Sequence, residues 1–244
     1  MKKNTYTIPL ALVFSLFFLW AISSNLLPTM IRQLMKTCEL NTFEASFTET
    51  AYWLAYFIFP IPIAMFMKRY SYKAGIIFGL LLAAVGGLLF FPAAMLKEYW
   101  AYLCIFFIIA TGMCFLETAA NPYVTIIGPI DSAARRISIM GICNKVAGII
   151  SPLIFAALIL KANDSELFAL IESGALDEAT KNAMLNELIQ RVIIPYSILG
   201  IILLLTGIGI RYSVLPEINT DEQNATDEPV SYTHLRAHET RGNL

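Results

Sequence analysis

Residues 72–96 read YKAGIIFGLLLAAVGGLLFFPAAML, with no charge between Lys73 and Lys97. A helix rises 1.5 Å per residue, so roughly 20 mostly apolar residues cross a hydrocarbon core of about 30 Å. This run is long enough to cross. Working outward from it, five more stretches meet the same condition: about Tyr6–Leu34, Phe43–Met67, Tyr99–Ile127, Ala133–Leu160 and Val192–Tyr212. Polar or helix-breaking joints separate them: Lys68-Arg69-Tyr70-Ser71, Lys97-Glu98, Gly128-Pro129, and a long polar stretch from Lys161 to Arg191. The expected fold class is an all-α membrane protein with six transmembrane helices over residues 1–212, including a periplasmic helical loop at 161–191. The first apolar run is too long for a secretory signal and has no small-residue cleavage site, so it is expected to stay in the membrane.

Composition agrees. Of 244 residues, 57% are hydrophobic and 14% charged, where soluble domains carry roughly a quarter charged. Lipid is therefore the expected partner and solvent. A net charge of -1 gives no clustered basic surface for a nucleic acid. Cys38, Cys104, Cys114 and Cys143 lack metal-ligand spacing, and no phosphate-cradling GxxxxGK[ST] loop or arguable nucleophile–base pair occurs. The chain reads as a non-enzyme with no metal and no cofactor.

Orientation follows from Lys and Arg near the span ends, because basic loops stay cytoplasmic. An amino terminus inside puts Lys2, Lys3, Lys68, Arg69, Lys73, Arg135, Arg136 and Arg211 in the cytoplasm. Arg32, Lys36, Lys97, Lys161, Lys181 and Arg191 then lie outside. The outer loop holds two helical patterns, around Leu167, Phe168 and Ile171 and around Ala179, Met184, Leu185 and Leu188. Asp164 and Asp177 stand where helix N-caps are expected.

Beyond the last span, residues 213–229 are polar and acidic and read as a disordered cytoplasmic linker to a missing second bundle. The run Val230-Ser231-Tyr232-Thr233-His234-Leu235-Arg236-Ala237-His238-Glu239-Thr240 resembles a translated transposase sequencing adapter. Residues 230–244 are accordingly read as an artefact tail, and His234 and His238 are given no functional weight.

Charges at bilayer depth cost at least about 2.5–3.5 kcal/mol and usually face a cavity or a partner. Glu117, Lys145 and Glu49 are therefore the informative residues. Glu117 in span four and Lys145 in span five lie at matching depths, roughly 15–18 Å above the cytoplasmic boundary, which allows an ion pair. The pair either serves a substrate or coupling ion or only joins two helices. In span five, Ser138, Gly141, Asn144, Lys145, Gly148, Ser151 and Pro152 share one stripe, opposite Ile137, Met140, Cys143, Val146 and Ile150. Such a small, polar stripe suits either a cavity wall or a close helix contact. In span two, Glu49, Tyr52, Trp53, Tyr56 and Pro60 fall at helical spacing. An acid beside aromatic rings suits a sugar, whose C–H faces stack on rings and whose hydroxyls need carboxylates and amides; an interfacial aromatic belt is the alternative. In span one, Trp20, Ser24 and Pro28 line one edge with Asn25 beside them, and Pro28 is expected to open the helix; Pro122 does the same one turn after Glu117 and near Asn121.

Four motifs, Ser15-Leu16-Phe17-Phe18-Leu19-Trp20-Ala21, Tyr56-Phe57-Ile58-Phe59-Pro60-Ile61-Pro62, Ser71-Tyr72-Lys73-Ala74-Gly75 and Leu116-Glu117-Thr118-Ala119-Ala120-Asn121-Pro122-Tyr123, resemble the fucose permease family of sugar symporters within the major facilitator superfamily. The resemblance implies the N-terminal six-helix bundle of a twelve-span fold, with substrate bound between two bundles near the midplane and alternating access by rocking. It places Glu117 on the family's span-four acid and Asn144 on a span-five amide that faces sugar. Pro28 stands where fucose–proton symporters have an aspartate, and Gly141 replaces a glutamine. The stretch Ser138–Gly148 is more similar to the glucose, galactose or N-acetylglucosamine members. The resulting expectation is secondary active, cation-coupled symport of a hexose, with proton or sodium as the coupling ion, across a bacterial inner membrane. Expected site residues are Glu117, Asn144, Lys145, Asn121, Glu49, Trp53 and Asn25. A transport-inactive membrane sugar sensor is the alternative.

Overall fold

The structure is a computed structural model and describes residues 7–25, 27–38, 40–96, 98–159 and 177–218. Readings made on Lys2, Lys3, Lys97, Asp164, the 161–176 part of the loop, the linker from residue 219 and the tail at 230–244 lie outside the described residues. Eight α-helices follow in order among them: α1 (Thr7–Asn25), α2 (Leu27–Thr37), α3 (Thr42–Ile58), α4 (Pro60–Arg69), α5 (Tyr72–Leu96), α6 (Tyr99–Ile126), α7 (Ala133–Ile159) and α8 (Glu178–Tyr212), with a short 3-10 turn at Ile130–Ser132. Five stretches are long and apolar enough to cross a membrane, and α3 with α4, bent by 43° at their joint, makes a sixth if taken as one broken span. The protein is multi-pass.

The first apolar run is helical over α1 and α2. Leu27, Met30 and Leu34 of α2 are buried and lean on α3 and α8. The second span bends at Phe59 because Pro60 opens α4. The second helical pattern of the outer loop is not a separate surface helix: residues 178–212 form one helix through Pro195, capped by Asp177, whose carboxylate accepts from the Thr180 backbone N–H.

The bundle has a tight side and a looser one. On the tight side α5 packs against α6 and α8, and glycines set the distance. A Cβ added to Gly112 would fall 2.5 Å from the Ala83 nitrogen and 2.6 Å from the Gly79 carbonyl oxygen, so these backbones touch. On the looser side α7 leans mainly on α1, and α3 packs against α6. The Ser151 hydroxyl, fully buried, donates to the Ile22 carbonyl at 3.1 Å.

The ends of α5, α6 and α8 that meet are clamped by polar groups. The buried guanidinium of Arg136 donates to the carbonyls of Val124 (2.9 Å), Thr125 (2.7 Å) and Pro129 (2.9 Å) and to the Ser132 hydroxyl. A cation at a helix C-terminus satisfies orphan carbonyls and opposes the negative end of the helix dipole. The segment after α8 is held as well: Lys73 donates to the Ser213 carbonyl, Tyr123 to Pro216 and the Tyr72 amide to Ile218.

Candidate functional site

The polar wall is assembled by α1, α3, α6 and α7. Trp20 and Ser24 are one turn apart on α1, and Tyr52 and Tyr56 one turn apart on α3, so two pairs at helical spacing can meet across a crossing. They do. The Trp20 indole donates to the Tyr56 hydroxyl at 3.2 Å, and the Tyr52 hydroxyl donates to Ser24 at 3.4 Å. The two tyrosine rings stack with centroids 5.6 Å apart, and the Trp53 ring lies 5.6 Å from Tyr52 and 5.5 Å from Tyr56.

Glu117 on α6 is half-buried, on the helix against which α3, the bearer of Tyr52 and Tyr56, packs. Cys114, Glu117, Thr118 and Asn121 occupy one face of α6. The Cys114 sulfur and Thr118 hydroxyl are 3.9 Å apart. Thus α6 brings a carboxyl to an aromatic, hydroxyl-bearing surface made by two other helices.

The remaining residues divide. Asn25 is half-buried at the end of α1, with its amide donating to the Ala21 carbonyl at 2.7 Å; Gly148 of α7 faces it, a Cβ there falling 3.4 Å from the amide nitrogen. Asn144 is half-buried. Lys145, Asn121 and Glu49 are exposed, and Trp53 is 55% exposed. Gly141 has nothing within 4 Å of where a Cβ would stand.

Three sequence expectations change in consequence. No ion pair within 4.0 Å joins Glu117 to Lys145 among the described residues. Equal depth was necessary for that pair but not sufficient, because α7 lies mainly against α1 and Lys145 is exposed. The span-two stripe also splits: Tyr52 and Tyr56 turn into the bundle while Glu49 and Trp53 remain on its exposed edge. Likewise the span-five stripe is partly a helix contact, at Gly148 and Ser151, and partly open, at Gly141 and Lys145. The Trp20–Tyr56 bond joins residues 36 positions apart, so no local spacing could have shown it.

Apolar helices of membrane-crossing length packed in one bundle define a multi-pass membrane protein. A family model described as the Major Facilitator Superfamily matches residues 10–238. The chain belongs to the Major Facilitator Superfamily. It is similar to the L-fucose-proton symporter of Escherichia coli (strain K12), at 37% identity over 91% of this chain and 50% of that protein. It is also similar to the glucose/galactose transporter of Brucella abortus biovar 1 (strain 9-941), at 32% identity over 96% of this chain and 54% of that protein. Among solved structures, the transporter FucP in its outward conformation superposes with a TM-score of 0.74 at 36% identity, covering 88% of this chain and 51% of that one. The chain spans about half the length of these relatives, and its helices form the N-terminal half of the major facilitator fold.

Proposed function

We propose that the chain is the substrate-recognising half of a cation-coupled hexose symporter of a bacterial inner membrane, with its amino terminus cytoplasmic and a second six-helix bundle supplying the opposite wall. The observation that carries this reading is the half-buried Glu117 on α6, the helix that packs against α3 with its inward Tyr52 and Tyr56 and the exposed edge of Trp53. Aromatic faces take the C–H face of a pyranose, and a carboxyl with hydroxyls and amides takes its OH groups. Asn144, Asn25 and Asn121 supply those amides along the same wall. The relatives whose names specify a fucose-proton symporter and a glucose/galactose transporter support the substrate class and favour the proton.

Coupling follows from cost. A carboxylate at this depth is costly to keep charged, so Glu117 takes up a proton when unpaired and gives it up where water or a partner stabilises the anion. Sugar binding that shifts this balance links the two movements. Glu49, exposed near the outer end of its span, acts at the mouth of the passage, and Lys145, exposed at mid-depth, lines it without forming a buried pair. No bond in the substrate has to break, so the site needs no nucleophile.

The experiment is counterflow and gradient-driven uptake of labelled hexoses by the full-length transporter in proteoliposomes, at varied pH and sodium. Glucose or galactose accumulates with an inward proton gradient, and Glu117→Gln keeps exchange while losing accumulation. Unchanged pH-driven accumulation in Glu117→Gln removes Glu117 from coupling, and binding without accumulation in the unaltered protein turns the reading to a sensor.

A further inference from the structure

A second polar feature lies outside that wall, between the ends of α5 and α8. The two helices touch at Gly87 and Gly200, where a Cβ on Gly87 would come 3.0 Å from the Gly200 Cα. Immediately outward stands a pair of large rings, Phe90 and Tyr196, with centroids 4.2 Å apart. Glycine contact on one side and two large rings, tilted by 32° to each other, on the other make a wedge, and past the wedge the helices part. Pro92 and Pro195 each stand five residues outward from the touching glycines, and each omits one ladder bond of its helix. The opening is a groove of about 590 Å³ lined by Phe91, Ala94 and Met95 of α5 and Asn186, Gln190, Ile193 and Ile194 of α8.

Its polarity is graded with depth. The apolar window of α8 begins at Ile193. Gln190 therefore lies about 4.5 Å, and Asn186 about 10 Å, beyond that start along the axis. Ile193, Ile194, Phe91 and Met95 lie at acyl-chain level, and the two amides at headgroup level. A void of this size facing hydrocarbon is filled by a chain-shaped apolar body, because acyl chains are the solvent at that depth. The amides, one turn apart on one face, offer N–H donors suited to phosphodiester and ester oxygens. No charged side chain lines the groove among the described residues. Neither α5 nor α8 contributes to the Glu117 wall.

The geometry points to a structural phospholipid site: one glycerophospholipid seats an acyl chain between α5 and α8 and places its phosphodiester on Asn186 and Gln190. A sugar has no carboxylate here to meet its hydroxyls, and a second protein copy would leave the graded polarity without purpose.

The test reconstitutes the full 244-residue chain in vesicles of phosphatidylethanolamine and phosphatidylglycerol, extracts it in mild detergent and counts retained lipid by native mass spectrometry. The unaltered chain retains one phospholipid of either headgroup. Retention falls about fivefold in Gln190→Leu, the effect of one lost hydrogen bond, and at least as far in Ile194→Trp, which fills the groove from an exposed position. Ile202→Trp, exposed on the same helix but outside the groove, retains lipid as before. A phospholipid bearing a photoreactive acyl chain crosslinks to the Met95 and Ile194 peptides. Equal retention in all three variants, meaning annular lipid only, overturns the proposal, as does retention of detergent with no phospholipid.

Discussion

Gly112 and Gly141 are the same residue type in helices of similar hydropathy, and they do opposite things. Around Gly112 the α5 and α6 backbones are in contact, with the Ala83 nitrogen 2.5 Å from the place of a Cβ; around Gly141 there is empty space to 4 Å. The first glycine removes volume so that two helices can touch, which in lipid replaces the hydrophobic drive that water would supply. The second removes volume and leaves a gap. The difference separates a scaffold, α5, α6 and α8, from a polar wall, α1, α3 and α7 with one face of α6.

The comparison breaks most readily at Gly112. Gly112→Val should cost at or above about 3 kcal/mol, since backbone atoms cannot give way as a flexible side chain would; loss of a monodisperse peak on detergent size-exclusion chromatography reads it. Gly141→Val should fold and elute normally while changing hexose uptake. Equal tolerance at both positions would erase the distinction. Next comes Arg136, which ties α7 of the wall to the end of α6 in the scaffold. Arg136→Met should lower thermal stability by about 2–3 kcal/mol, as bonds to a charged donor are lost and carbonyls are stranded. Arg136→Lys should recover only a minor part, since an ammonium cannot reproduce the planar fork.

Weaker effects sharpen the wall itself. Ser151→Ala should cost about 0.6 kcal/mol, the average for an interhelical bond in a membrane, because α7 is held to Ile22 by a single side-chain bond. Urea-assisted unfolding in mixed micelles resolves that difference. The smallest effect lies at the scaffold's outer end. Hydrogen bonds from the Thr180 hydroxyl and the Thr180 amide lower the Asp177 pKa below its ordinary value. A depressed carboxylate contributes stability above the unfolded-state value and loses it as pH falls through the folded one. Hydrogen exchange at Ala179–Lys181 should therefore quicken on acidification below about pH 4, the ordinary Asp range, and lose that dependence in Asp177→Asn.

The membrane spans were legible because length and hydropathy are one-dimensional. Asp177 was legible as a cap for the same reason, its signal lying within three residues. The break at Phe59 was not: a proline reads as a mid-span kink unless the helix restart is known, and Pro60 is a first-turn residue. Arg136 registered only as a topogenic charge, because its acceptors belong to the end of the preceding helix. For the site, Glu117 stood out by its charge at depth. Its neighbours Tyr52 and Tyr56 were on the correct stripe, but which half of that stripe turns inward depends on how α3 packs against α6. The Glu117–Lys145 pairing failed on azimuth, which depth does not fix.

The central claim is that this wall borders water rather than acyl chains. Thiol accessibility at Gly141→Cys, in the full-length transporter freed of Cys38, Cys104, Cys114 and Cys143, tests it most directly. A membrane-impermeant maleimide should label Cys at this position, with glucose or galactose slowing the reaction. No labelling under any gradient, with ready modification by a lipid-soluble reagent, would put the wall in hydrocarbon and contradict the account.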